Sequence, residues 1–324
     1  MKRVVYLRAD ADSEIGYGHF MRTLALAEVL SSSYDCRFAT KSPSDFQRTC
    51  LKNVCKLIEL PSDESRFDAF LNLIQRGDIV VLDNYFYDQE YECKLRNNGA
   101  KVVLIDNLHA RHSCADVVLG FALGLKGSDY SVESYTKLYL GAAYSLIRKP
   151  FIEQLAFQHL PANYLQLKVV ISLGGADYRG VASSIADALA ELDNVKSILV
   201  IGNSPKDITL NDKVTFKIGL TAEEMRDAFV QNDIAVLSAS TTMFEAMACG
   251  IPIIGGYHVS NQTINYNNII ESCGIIGCGD LQEEKNRNKV RELISNREFI
   301  ETYHPHSVIP DNLENNLLSI FKTL

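Results

Sequence analysis

The sequence predicts an α/β protein built as two consecutive units, each a parallel sheet with helical crossovers. Three observations carry this. Short β-branched or apolar runs alternate with helix-patterned segments along the chain. Most of the runs in the first half end on an acid or a glycine, as at Asp83, Asp106 and Gly120. The rhythm lapses around residues 148–166, where Pro150 and Pro161 fall, and then starts again.

The first unit opens with Val4-Val5-Tyr6-Leu7, a buried strand by its composition. Gly16-Tyr17-Gly18-His19 follows as a turn, and then Phe20, Leu24 and Ala27 at helical spacing. Two glycines thus bend the chain at a strand-to-helix crossover, where backbone approaches a ligand closely and a helix N-terminus attracts anions. A titratable residue, His19, stands at that point. In an open α/β sheet, ligands bind outside the carboxyl ends of the strands. Further strands are expected at Ile79–Leu82, Val102–Ile105 and Val117–Leu119.

The second unit opens with Val169–Leu173 and the turn Gly174-Gly175-Ala176-Asp177, and a helix is expected from Val181 to Leu192. Strands follow at Ser197–Ile201, Ile234–Leu237 and Ile251–Ile254. After Pro305 and Pro310, residues 311–324 read as a helix that buries Leu317, Leu318, Ile320 and Phe321. These breaks divide the chain into residues 1–149, 166–303 and a terminal segment 304–324.

Composition narrows the function. With 47% hydrophobic and 22% charged residues among 324, the chain has the make-up of a globular protein large enough for two cores. Its net charge of −8 and lack of a basic tract argue against nucleic acid or an anionic membrane as partner. No window is long and apolar enough for a bilayer span, and Arg8 and Asp10 break the first apolar run too early for a signal peptide. The eight cysteines form no Cys-x-x-Cys pair and read as reduced thiols in a cytoplasmic protein.

Several motifs admit chemical readings. Ser238 to Ala246 follows a strand with small hydroxylated residues that suit a diphosphate at a helix start. Glu245, one turn on, has the reach for ribose hydroxyls, while Thr242-x-x-Glu245 also has capping-box spacing. Asp10-Ala11-Asp12 has the form of a metal pair but lies on the first glycine turn. His109-x-x-His112-x-Cys114 lacks a second cluster to complete a tetrahedral set. Neither glycine turn spells Gly-x-Gly-x-x-Gly, which disfavours a nicotinamide enzyme.

Taken in order, Arg8-x-Asp10, Gly16-x-Gly18-His19-x-x-Arg22, Asp83-x-Tyr85, Gly141-x-x-Tyr144-x-Leu146-Ile147-Arg148, Gly174-Gly175-x-Asp177, Ser238-Ala239-Ser240 with Glu245-Ala246, and Asn261-Gln262 form a pattern. The chain thereby resembles the UDP-sugar hydrolases of the pseudaminic acid pathway, which are similar to MurG-type glycosyltransferases of GT-B fold. The resemblance covers residues 3–275. It implies two Rossmann-like domains facing each other across a cleft, the second holding the nucleotide, with the C-terminal helix crossing back to the first. It also implies removal of UDP from UDP-2,4-diacetamido-2,4,6-trideoxy-β-L-altropyranose by inverting attack of water at the anomeric carbon. No metal or organic cofactor is implied, and the partner is a UDP-sugar.

Carried over residue by residue, His19 is the expected general base, with Tyr85 and Asn261 at the sugar or the water. Gly16, Gly18, Arg22, Gly174, Gly175, Ser240, Thr241, Glu245 and Gln262 are the expected substrate-binding positions. An ordinary imidazole, with a pKa near 6.5, can take a proton from water at neutral pH. UDP is a leaving group whose charge loop amides and a helix dipole can meet. The chain departs from the pattern at Gly120-Phe121-Ala122, at Asn107 and at Asp311-Asn312-Leu313. Two alternatives share the donor site: a GT-B glycosyltransferase with an acceptor in place of water, and a UDP-sugar-binding protein in which His19 merely packs.

Overall fold

The computed structural model describes residues 2–12, 16–155, 163–174, 180–202, 211–303 and 307–324, with the side chain of Asn261 outside that description. Gly175 also lies outside it. The chain divides into two compact units, Met1–Lys149 together with Asn312–Leu324, and Pro150–Asp311.

The first unit contains β1 (Val4–Arg8), α1 (Gly18–Leu30), β2 (Asp35–Lys41), α2 (Asp45–Leu51), β3 (Lys56–Leu60), α3 (Ser65–Leu71), β4 (Ile79–Leu82), α4 (Gln89–Asn97), β5 (Lys101–Ile105), β6 (Val117–Gly120) and β7 (Lys137–Leu140). Its seven strands lie in the order β3-β2-β1-β4-β5-β6-β7, and every pairing is parallel. β1 therefore sits beside β4, with Val5 opposite Ile79 and Arg8 opposite Leu82. The central strands are continuous apolar runs because helices cover both sheet faces.

Next come α5 (Lys149–Ile152), at the join of the two units, and then β8 (Leu167–Ser172), α6 (Val181–Ala190), β9 (Val195–Ile201), β10 (Val214–Lys217), α7 (Ala222–Gln231), β11 (Ile234–Ser238), α8 (Thr241–Ala248), β12 (Ile253–Tyr257), α9 (Thr263–Cys273), β13 (Ile276–Asp280), α10 (Glu284–Ser295) and α11 (Arg297–Thr302). The sheet order is β10-β9-β8-β11-β12-β13, again parallel. Its core joins Val169, Ile171, Ile185, Leu189, Val236 and Ile254. Thr221 and Glu224 cap α7 reciprocally, satisfying two of its first-turn donors.

The last helix, α12 (Leu313–Lys322), belongs to the first unit. Leu313, Leu317, Ile320 and Phe321 are buried, and Asn316 Nδ2 donates to the Ala143 carbonyl at 3.1 Å. Leu318, by contrast, is only partly buried.

One expectation needs correction. The cysteines are not all thiols: Cys93 on α4 and Cys114 ahead of β6 form a disulfide, their Cα atoms 6.3 Å apart. Sequence spacing could not show this, because only the fold brings the segment between β5 and β6 against α4, where Ser113 Oγ and the Cys114 amide also donate to Glu92.

Candidate functional site

In the first sheet the strand order reverses between β1 and β4, and the chain leaves their carboxyl ends in different directions. The turn after β1 brings Gly16 in at φ +79°, a left-handed conformation open to glycine, and α1 starts at Gly18. Tyr17, the N-cap residue of α1, makes no side-chain cap bond. His19, Arg22 and Thr23 stand three and four residues apart and so share one helix face. That face meets Asp83, the residue after β4.

Asp83 is fully buried and takes four side-chain donors. His19 Nδ1 lies 2.7 Å from Oδ1, Arg22 reaches Oδ2 through Nε at 2.7 Å and Oδ1 through Nη2 at 2.5 Å, and Thr23 Oγ1 donates to Oδ2 at 2.8 Å. Burial alone pushes a carboxyl up, but the charge and hydrogen bonds of Arg22, with His19, outweigh it and hold Asp83 at about 2. Nδ1 stands between the acceptor Asp83 Oδ1 and the donor Arg22 Nη2, which lies 2.9 Å from it. In the tautomer with the proton on Nδ1, the ring donates to the ionised carboxylate. Nε2 then carries the lone pair. In that tautomer the arrangement is one by which a carboxylate orients an imidazole.

Tyr85 continues the same loop. It is 55% exposed, and its ring stands edge-on to His19 at 4.6 Å between centroids. Between them in sequence, Asn84 turns the other way: its Oδ1 accepts from the Asp10 amide at 2.7 Å, tying the end of β4 to the end of β1. Asp10 pairs with the buried Arg8 and accepts the Lys41 amide at 2.8 Å. Its carboxyl is lowered because Arg8, with the Lys41 amide, overcomes the upward push of burial. The two acids of Asp10-Ala11-Asp12 thus face cations, Arg8 and Lys41. Among the described residues no group of three or more His, Cys, Asp or Glu is arranged to hold a metal.

In the second sheet the order reverses between β8 and β11. Gly174, just past β8, has φ +85°. Ser240 is the N-cap residue of α8, and Thr241 is the first residue of that helix. The box suggested by Thr242-x-x-Glu245 is therefore not formed: the helix begins before Thr242, and Ser240 makes no side-chain cap bond. Ser240 Oγ is buried without a hydrogen-bond partner among the described residues. Glu245 is 4% exposed, within the buried face of α8. Gln262 ends a 3-10 turn (Ser260–Gln262) after β12, where Asn261 also lies. The Gln262 amide meets Ser238 Oγ at 3.3 Å and the His258 amide at 3.2 Å.

Asp83 and Thr23 are the site residues that the reading of the sequence did not assign a role. Asp83 carried a signal, an acid ending an apolar strand; Thr23 carried none apart from its spacing to His19.

Comparison with known proteins adds the fold. No protein-family model matches the chain. An uncharacterized protein of Methanocaldococcus jannaschii, MJ1062, is 25% identical over 292 residues, which is 85% of this chain and 60% of that protein. The chain thus spans less than two thirds of that relative. A UDP-2,4-diacetamido-2,4,6-trideoxy-beta-L-altropyranose hydrolase of Campylobacter jejuni is 28% identical over 275 residues, 80% of this chain and 93% of the hydrolase. Among solved structures, MurG of Acinetobacter baumannii superposes with a TM-score of 0.61 at 12% identity, covering 100% of both chains. The spinosyn rhamnosyltransferase SpnG, complexed with thymidine diphosphate, gives 0.62 at 13% identity over 98% and 96%. The chain therefore has two Rossmann-like domains of the GT-B fold class.

Proposed function

We propose that this chain is a nucleotide-sugar-processing enzyme that breaks the anomeric C–O bond of a UDP-sugar, using His19 as general base. The observation that carries the reading is the buried carboxylate of Asp83 set 2.7 Å from His19 Nδ1, with Arg22 and Thr23 on the same oxygens. The reading takes the tautomer in which Nδ1 donates to Asp83. A hydroxyl nucleophile attacks the anomeric carbon from the face opposite UDP, and Nε2 takes its proton. The imidazolium that forms is stabilised by the ionised Asp83. The C–O bond electrons pass to the β-phosphate oxygen of UDP. In this reading the second unit meets that charge with the turn at Gly174, the start of α8 at Ser240 and Thr241, and the helix dipole. Glu245 binds the ribose. Arg22 serves through Asp83, and Tyr85 lines the sugar beside the base. Gly16 and Gly18 let backbone approach it.

Two nucleophiles fit these residues. An acceptor hydroxyl makes the enzyme a glycosyltransferase, the reading favoured by the likeness to a rhamnosyltransferase and to MurG. Water makes it a hydrolase, favoured by the alignment with nearly the whole of the Campylobacter hydrolase. Hydrolysis of the diacetamido-trideoxy sugar, a cytoplasmic setting and independence from metal belong to that second reading.

The test is incubation of purified protein with UDP-2,4-diacetamido-2,4,6-trideoxy-β-L-altropyranose and no acceptor, followed by proton NMR of the anomeric signal. Prompt UDP release with inversion identifies the hydrolase. Tight UDP binding with release only after an acceptor is added identifies the transferase. In either case His19→Ala is expected to slow turnover by about 100- to 10,000-fold while leaving UDP affinity unchanged. Equal loss of both would make His19 a structural residue.

A further inference from the structure

The residues around Gln262 form a directed hydrogen-bond chain through the loops after β8, β11 and β12. The backbone N–H of His258 is a donor only, so it fixes the Gln262 side-chain oxygen toward itself, at 3.2 Å. Nε2 then faces Ser238 Oγ at 3.3 Å and donates to it. Ser238, the fully buried last residue of β11, donates its own proton to the Leu173 carbonyl at 3.0 Å. The His258 carbonyl in turn accepts from Gln282 Nε2 at 2.6 Å. Two flanking bonds reinforce the arrangement: Asn265 Nδ2 donates to the Ala239 carbonyl at 3.0 Å, and the Ala239 amide donates to the Gly256 carbonyl at 2.9 Å.

Both ends of the Gln262 amide are thereby engaged with protein, while two residues beyond Ser238 the Ser240 hydroxyl is buried without a partner. The Ser240 amide is itself pinned, donating to the Ser238 carbonyl at 2.8 Å. We propose that Gln262 is a positioning residue: it acts on the nucleotide through Ser238, holding the turn at Gly174 and the start of α8 in one arrangement that receives a diphosphate. The inference rests on the reading of the second unit as the UDP-binding one. Each bond in the chain has a single direction, so removing any link frees the next one, and the links act as a unit.

The experiment is a double-mutant cycle on UDP affinity by isothermal titration calorimetry, using wild type, Gln262→Ala, Ser238→Ala and the pair. Thermal melting shows that each variant folds. Each single change is expected to weaken UDP about tenfold, and the pair no more than the weaker-binding single. UDP, which carries no sugar to contact beyond its ribose, should itself lose affinity by that factor. Weakening of the UDP-sugar alone would make Gln262 a sugar contact and overturn the proposal. Unchanged UDP affinity in Gln262→Ala, or additive losses, would overturn it equally. Failure of the wild type to bind UDP would sink the nucleotide-binding reading itself, and the positioning role with it. Should Ser238→Ala fail to fold, Gln262→Met replaces it: the side chain keeps its length and adds no charge but neither accepts from His258 nor donates to Ser238, so it must lose UDP affinity as Gln262→Ala does.

Discussion

At the scale of single residues, Asp83 does two jobs. Its charge neutralises the buried Arg22, and its Oδ1 orients His19. Asp83→Asn leaves a guanidinium buried without its carboxylate, which costs about 3–5 kcal/mol. It also removes a pH dependence whose sign follows from the carboxyl's position at about 2 against an ordinary value of 3.8. Because the folded state holds the carboxyl below its unfolded value, the stabilisation is complete above pH ~4 and is lost as pH falls toward ~2. The loss amounts to about 2 kcal/mol. Urea unfolding at steps from pH 5 to pH 2.5 should show this decline in wild type and lack it in Asp83→Asn. A parallel decline in both would assign the acid sensitivity to other groups.

At the scale of elements, the turns that follow β1 and β8 are where backbone geometry constrains sequence most closely. Gly174 has φ +85°, and a Cβ built there meets nothing within 4 Å among the described residues. The cost of a side chain is therefore the left-handed backbone alone, about 1–2 kcal/mol for alanine. Asparagine adopts that conformation more readily. Gly174→Ala is expected to weaken UDP binding by about tenfold, and Gly174→Asn to recover most of it. Equal binding by all three proteins would remove the turn from the nucleotide site. Elements were legible unevenly. The strands read at Val4–Leu7, Ile79–Leu82, Val102–Ile105 and Ile234–Leu237 are central and covered on both sides, so their apolar runs are continuous. β2, β3, β7, β10 and β13 are not predicted as strands: the last four are sheet edges, while β2 is internal but is interrupted by Asp35, Arg37 and Lys41. Edge strands carry charges and exposed positions, as Lys56, Glu59 and Lys217 show, and so lose the periodicity that marks a strand.

At the scale of the whole molecule, α12 returns to the first unit from the end of the chain. It covers apolar surface near α1, with Phe321 6.1 Å from the Tyr34 ring. Deletion of residues 312–324 should destabilise the first unit and spare the second, since Leu313, Leu317, Ile320 and Phe321 each bury surface worth about 1.5–3 kcal/mol. Hydrogen exchange resolved by peptide is the measurement: faster exchange in α1 with unchanged exchange in α6 and α10 is expected. Faster exchange throughout would mean that the two units share one folding equilibrium.

The sequence by itself determined the α/β class, the two starts at Val4 and Val169, and the placing of a histidine at a glycine turn. These follow from local properties: apolar periodicity, and the conformations that glycine alone adopts freely. Tertiary structure alone decided what His19 faces. Asp83 is 64 residues away in the chain, and only the adjacency of β1 and β4 brings it to Nδ1. The same holds for the Cys93–Cys114 bond and for the three loops joined through Gln262 and Ser238. Strand order is a global outcome of packing two layers of helices on a sheet, and no local spacing encodes which carboxyl ends become neighbours.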